Sequence, residues 1–140
     1  MADAALAEMR GASANSRILL VEDEILIRLA MADDLRHAGF IVIEASNADE
    51  ALNVLNTTPD IALVVTDIRM PGRMDGVGLA NWVRRHAPLI KIAIVSANVE
   101  IGMDRAFDAV LSKPVLPSDL IARVRKLLPP AEQQSSDESR

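Results

Sequence analysis

Cysteine and tyrosine are both missing from this chain of 140 residues. Without cysteine there are no disulfides, no thiolate metal ligands and no cysteine nucleophile, a usage that fits a cytoplasmic protein. Aromatic residues are down to Phe40, Trp82 and Phe107, so a core has to be assembled from Leu, Ile, Val, Met and Ala. No block of Lys or Arg stands out, and 15 basic against 20 acidic residues leave a net charge of −5. A nucleic-acid surface needs a basic stripe to displace counterions, so no nucleic-acid partner is expected. Nor is membrane insertion, because no apolar run approaches the roughly 18 residues a span requires. The N-terminal "MADAALAEMRGASANS" has Asp3 and Glu8 where a secretion signal is basic, and it lacks the apolar stretch of one.

What is present is one domain's worth of chain. Residues 1–15 read as a flexible tail and residues 130–140 as a disordered, acidic one, leaving a domain over 16–129. Within it two kinds of segment alternate. Short apolar, β-branched runs fall at 17–21, 40–45, 61–66, 91–96 and 108–112. Runs of this length with little polar alternation suit strands buried on both faces of a parallel sheet. Helical patterns lie between them. Over 24–38, Ile25, Leu29, Ala32 and Leu35 form one stripe, with Gly39 at the C-terminal cap. Asn47 and Glu50 open a helix over 47–56. Val77, Leu79, Ala80 and Val83 mark a third over 76–86, and Leu120, Ile121, Val124, Leu127 and Leu128 the last over 118–128. The alternation predicts an α/β, flavodoxin-like, doubly wound five-stranded parallel sheet in the order 2-1-3-4-5, with helices on both faces.

In such sheets ligands bind beyond the carboxyl ends of the strands. Strand 1 ends on Glu22 and Asp23, strand 3 on Asp67, strand 4 on Ser96, and strand 5 on Lys113 before Pro114. The predicted order brings these five polar residues to one crevice. Three carboxylates so close repel one another unless a cation joins them, and an all-oxygen set with room for water suits Mg2+ better than zinc. A hydroxyl and an ammonium opposite supply what a phosphoryl group needs. Simpler roles compete: a strand-end cap for Asp67, first-turn helix acids for Glu22 and Asp23, a turn-starting Ser96, a solvated Lys113. Trp82 reads as partly buried packing, and His37 and His86 as helix-end residues.

The stretches "ILLVEDE", "VVTDIRMPG", "IVSA" and "LSKP" together resemble the receiver domain of bacterial two-component response regulators, over roughly residues 16–128. The resemblance implies that Asp67 accepts phosphate from a phosphohistidine on a histidine kinase or phosphotransfer protein. It implies Mg2+ held by Asp23, Asp67 and the carbonyl of Arg69, with Glu22 acting through water. It further implies Ser96 and Lys113 on the phosphoryl oxygens, and a cis Lys113–Pro114 bond. The chain departs from the family pattern at three places. Val110 stands where the family has an aromatic residue three positions before the lysine. Ser96 and Lys113 are about five residues closer than usual, which shortens the fourth helix. The loop after Asp67, "PGRMDG", has one extra residue. A phosphorylation-driven tightening of residues 97–107 is therefore expected as the signal, read by an unidentified protein target together with the end of the first helix.

Because only about a dozen, mostly polar residues follow Leu128, a stand-alone receiver is expected that is not a turnover enzyme. Two other readings remain: a degenerate receiver that only binds a partner, and a haloacid-dehalogenase-type phosphatase. The second needs an aspartate two positions after the nucleophile, where Arg69 stands.

Overall fold

A computed structural model describes residues 17–97 and 107–129. The expected tails, and nearly all of the segment in which a shortened fourth helix was anticipated, lie outside the described residues. The elements run β1 (Arg17–Val21), α1 (Ile25–His37), β2 (Ile41–Ala45), α2 (Ala48–Thr57), β3 (Ile61–Asp67), α3 (Gly76–His86), β4 (Lys91–Ser96), β5 (Ala109–Ser112) and α4 (Pro117–Leu127). All strand pairs are parallel, and the sheet order is β2-β1-β3-β4-β5, as the alternation predicts.

Successive strand residues point to opposite faces, and each face has its own apolar layer. Ile18, Leu20, Leu63, Val65, Ala93 and Val95 face α1 and α4, meeting Met31, Ala32, Leu35, Leu120 and Val124. Leu19, Val21, Val64, Ile92 and Ile94 face α2 and α3, meeting Ala51, Leu79, Ala80 and Val83. Both sides of β1, β3 and β4 are thus covered, which explains their unbroken apolar sequences.

Helix ends follow their sequence signals. Gly39 has φ +100°; its N–H reaches Arg36 O and that of Phe40 reaches Leu35 O at 3.0 and 3.1 Å, the paired bonds of a Schellman ending. The Asn47 side chain caps α2 by accepting from the Glu50 N–H at 2.9 Å, while the Glu50 carboxylate takes the Ser46 N–H at 2.7 Å. Asp75 caps α3 through the Gly78 N–H.

The stripe predicted for α1 needs correction. Ile25 and Leu29 are 57% and 47% exposed, and the row facing the sheet is instead Arg28, Met31, Ala32 and Leu35. Apolar residues nearly surround the first turns of this helix, so periodicity alone does not say which side meets the sheet.

Candidate phosphoacceptor site

The strand register assembles the site. Val21 pairs with Thr66, Asp67 with Val95, and Ser96 with Ser112. The residues just past these pairs therefore emerge side by side at the carboxyl edge. Asp67 closes the central strand and is 8% exposed. Asp23, Asp67, Arg69, Ser96 and Lys113 line one open cleft of about 370 Å³, and Glu22 backs it, 1% exposed. All the residues predicted from strand ends are thus brought together.

Within the cleft, the Lys113 ammonium donates to Asp67 Oδ2 at 2.6 Å and lies 3.7 Å from Glu22 Oε2. One oxygen each of Glu22, Asp23 and Asp67 falls within 4.8 Å of the others. Burial pushes the Glu22 carboxyl up, reinforced by the Asp67 charge and opposed by the Glu24 N–H and Lys113. Burial alone would lower Lys113, but its bond to Asp67 and the charges of Glu22 and Asp67 outweigh that and raise it. The ammonium is the cleft's own counter-charge. An all-oxygen trio this close, at the open end of a sheet, also matches what a hard divalent cation requires.

Backbone contacts hold Asp67 in place. The Thr66 hydroxyl donates to the Asp67 carbonyl at 2.9 Å, and the Gly76 N–H to Ile68 O at 2.8 Å. A Cβ on Gly76 would overlap Asp67 O, so only glycine lets α3 start against the end of β3. The main chain of Lys113 is likewise tied, its N–H donating to Ser96 O at 2.9 Å, and the Lys113–Pro114 bond is cis. The Arg69 N–H points at Asp67 Oδ1 at 3.4 Å, bringing its peptide to the rim. Sequence reasoning missed Gly76, because nothing local in "MDG" distinguishes a helix start from a close approach. The two histidines stay out of the site: each Nδ1–H donates to the carbonyl four residues back, Asp33 for His37 and Trp82 for His86.

Response regulator receiver domains match residues 18–125. The chain belongs to that family. This receiver domain is 39% identical over 114 residues to the transcriptional regulatory protein PdtaR of Mycobacterium tuberculosis, covering 77% of this chain and 54% of that protein. Similarity to the alkaline phosphatase synthesis transcriptional regulatory protein PhoP of Bacillus subtilis is 30% over 136 residues, covering 89% and 55%. The receiver therefore spans about half the length of the curated relatives it matches. Among solved structures, the response regulator TrrA of Thermotoga maritima, in complex with Mg2+ and BeF, superposes with a TM-score of 0.74 at 32% identity, covering 81% of this chain and 99% of that one. A response regulator receiver protein from Sinorhizobium medicae gives 0.73 at 34%, covering 81% and 94%. Phosphorylation on aspartate is general to the family, whose receivers are signalling modules that bind Mg2+ at an acidic pocket. No helix among the described residues is long and apolar enough to cross a membrane.

Proposed function

We propose that Asp67 takes a phosphoryl group from a phosphohistidine on a histidine kinase or phosphotransfer protein, and that the chain then signals by conformational change or passes the phosphate on. The observation that carries this reading is the 2.6 Å bond between Lys113 and Asp67 in the same cleft as the acidic trio. It joins a strand-end nucleophile, its counter-charge and a cation site. In the transfer, an Asp67 Oδ attacks phosphorus, the P–N bond to the donor imidazole breaks, and its electron pair leaves with the nitrogen. Asp23, Asp67 and the Arg69 carbonyl would hold Mg2+, with Glu22 acting through water. When bound, the ion neutralises charge building on the phosphoryl oxygens. Lys113 turns from Asp67 toward the incoming oxygens, joined by the Ser96 hydroxyl. On this reading the chain assists its own phosphorylation and dephosphorylation and turns over no separate substrate.

An apolar groove of about 590 Å³ lies beside the cleft, lined by Leu26, Ile27, Ala30, Met31 and Val115, with Lys113 on both sides. It supports a donor that seats an apolar helical face there and aims its imidazole at Asp67. Some relatives are named as transcriptional regulators, but the acidic balance of this chain argues that it does not itself contact nucleic acid. Incubation with a small phosphodonor tests the assignment: acid-labile phosphate should appear, and Asp67→Asn or EDTA should abolish it. Persistent labelling of the variant would sink Asp67 as the acceptor.

A further inference from the structure

The inward row of α1 begins with a charged residue. Arg28 occupies a position where the packing of Met31, Ala32 and Leu35 would favour a hydrophobe, yet its side chain is only 15% exposed. Its guanidinium reaches in two directions. Nε donates to Glu44 Oε1 on β2 at 3.1 Å, and Nη1 donates to the carbonyl of Glu22 at 2.9 Å. The other Glu44 oxygen is taken by Arg36 at 3.0 Å, and Arg36 also holds Val42 O at 2.8 Å. Glu44 is thus a fixed anchor between two arginines.

We infer that Arg28 is a positioning residue, which sets the Glu22–Glu24 turn so that the Glu22 and Asp23 carboxylates meet at the cation site. The inference rests on the phosphoacceptor reading given above. Three observations lead to it. First, α1 has no capping side chain at Glu24, so the usual local device for fixing a helix entry is missing. Second, the Arg28 guanidinium reaches back from the first turn of the helix to the Glu22 carbonyl at 2.9 Å, which ties the turn to α1 in another way. Third, two further groups of the turn are already committed: Glu22 N–H to Ala45 O at 3.0 Å, and Glu24 N–H to Glu22 Oε1 at 3.2 Å. Rotating the Glu22 peptide would break the Arg28 bond and swing the carboxylate on the same residue.

A half-buried Arg–Glu pair adds little net stability, because desolvation offsets its Coulomb attraction. A purely structural role therefore predicts that replacing both charges by hydrophobes is harmless. The test compares wild type, Arg28→Met/Glu44→Met and Arg28→Lys. The readouts are Mg2+ titration calorimetry on unphosphorylated protein, amide hydrogen exchange at Asp23 and Glu24, and thermal melting. The double variant should melt near the wild type, yet bind Mg2+ about tenfold more weakly, as loss of a ligand-orienting group typically does, with faster exchange at Asp23 and Glu24. Lysine keeps the charge but has no fork to span both acceptors, so Arg28→Lys should fall between. Wild-type Mg2+ affinity and wild-type exchange in the double variant would overturn the inference. If that variant does not fold, the same result in Arg28→Lys would overturn it. Failure of the wild type to bind Mg2+ would instead remove the cation from the proposed function, while exchange at Asp23 and Glu24 would still judge Arg28.

Discussion

Lys113 and Gly76 do different work on the same aspartate. Lys113 neutralises a pair of poorly hydrated carboxylates, so its removal leaves Glu22 and Asp67 facing each other without a counter-charge. Lys113→Ala should cost about 1–3 kcal/mol, the range for stranding a largely buried charge, discounted because the lysine itself is 26% exposed. A metal ion can take over that duty. The variant should therefore regain more thermal stability on adding Mg2+ than the wild type does, and melting curves with and without the salt would show it. An equal Mg2+ response in both proteins would mean that the ammonium and the cation do not share the carboxylates. Gly76 acts through space alone. Since a methyl group there would overlap the Asp67 carbonyl, Gly76→Ala should lower stability by about 1–3 kcal/mol, the usual range for overpacking. If Asp67 is the acceptor proposed above, it should also slow labelling by a small phosphodonor, because the strand end that carries Asp67 has to move. A urea midpoint unchanged from wild type would show that the helix start shifts freely.

The helices divide by how local their instructions are. Capping of α2 was legible because Asn47 and Glu50 stand three residues apart and need nothing from elsewhere. The Ser46 N–H and hydroxyl hold the Glu50 carboxyl below its ordinary 4.5. The sign follows directly: the folded chain binds this proton less readily than the unfolded one. Its contribution is whole above that ordinary value and is lost as pH falls through the folded one. Glu50→Gln should remove this part of the acid slope in urea midpoints, an effect well under about 1 kcal/mol for so exposed a group. Strands were legible for another reason. Burial on both faces forces β-branched, apolar runs, and residues that break the pattern at their carboxyl ends announce themselves. The facing side of α1 was not legible, because Ile25, Leu26 and Leu29 make its first turns look apolar all round while the buried row starts with an arginine. What Arg28 and Gly76 touch lies across a loop or on another element, and one sequence without its fold carries no trace of that.

The sheet works as a single wall with the reactive edge along its top and separate apolar layers behind each face. A donor seated in the groove as proposed would pass Leu26, which is 79% exposed, on its way to Lys113 and Asp67. Leu26→Glu should therefore leave labelling by a small phosphodonor unchanged but slow transfer from a phosphohistidine protein about tenfold, the loss expected when one apolar anchor is replaced by a charge that must be desolvated. Equal slowing with both donors would mean that the groove serves the cleft itself and not the partner. The opposite flank is open in another way. The loop after Asp67 is closed at its base by the Gly76–Ile68 hydrogen bond, while Gly72, at φ +109°, and Arg73 sit at its exposed tip. With its base fixed by that bond, the exposed stretch between can change in length without moving Asp67. The tip is then a natural handle for chemistry from outside. Since the chain has no cysteine of its own, Arg73→Cys would offer a single thiol for an environment-sensitive dye, turning arrival of a phosphoryl group into an optical signal read on the intact protein.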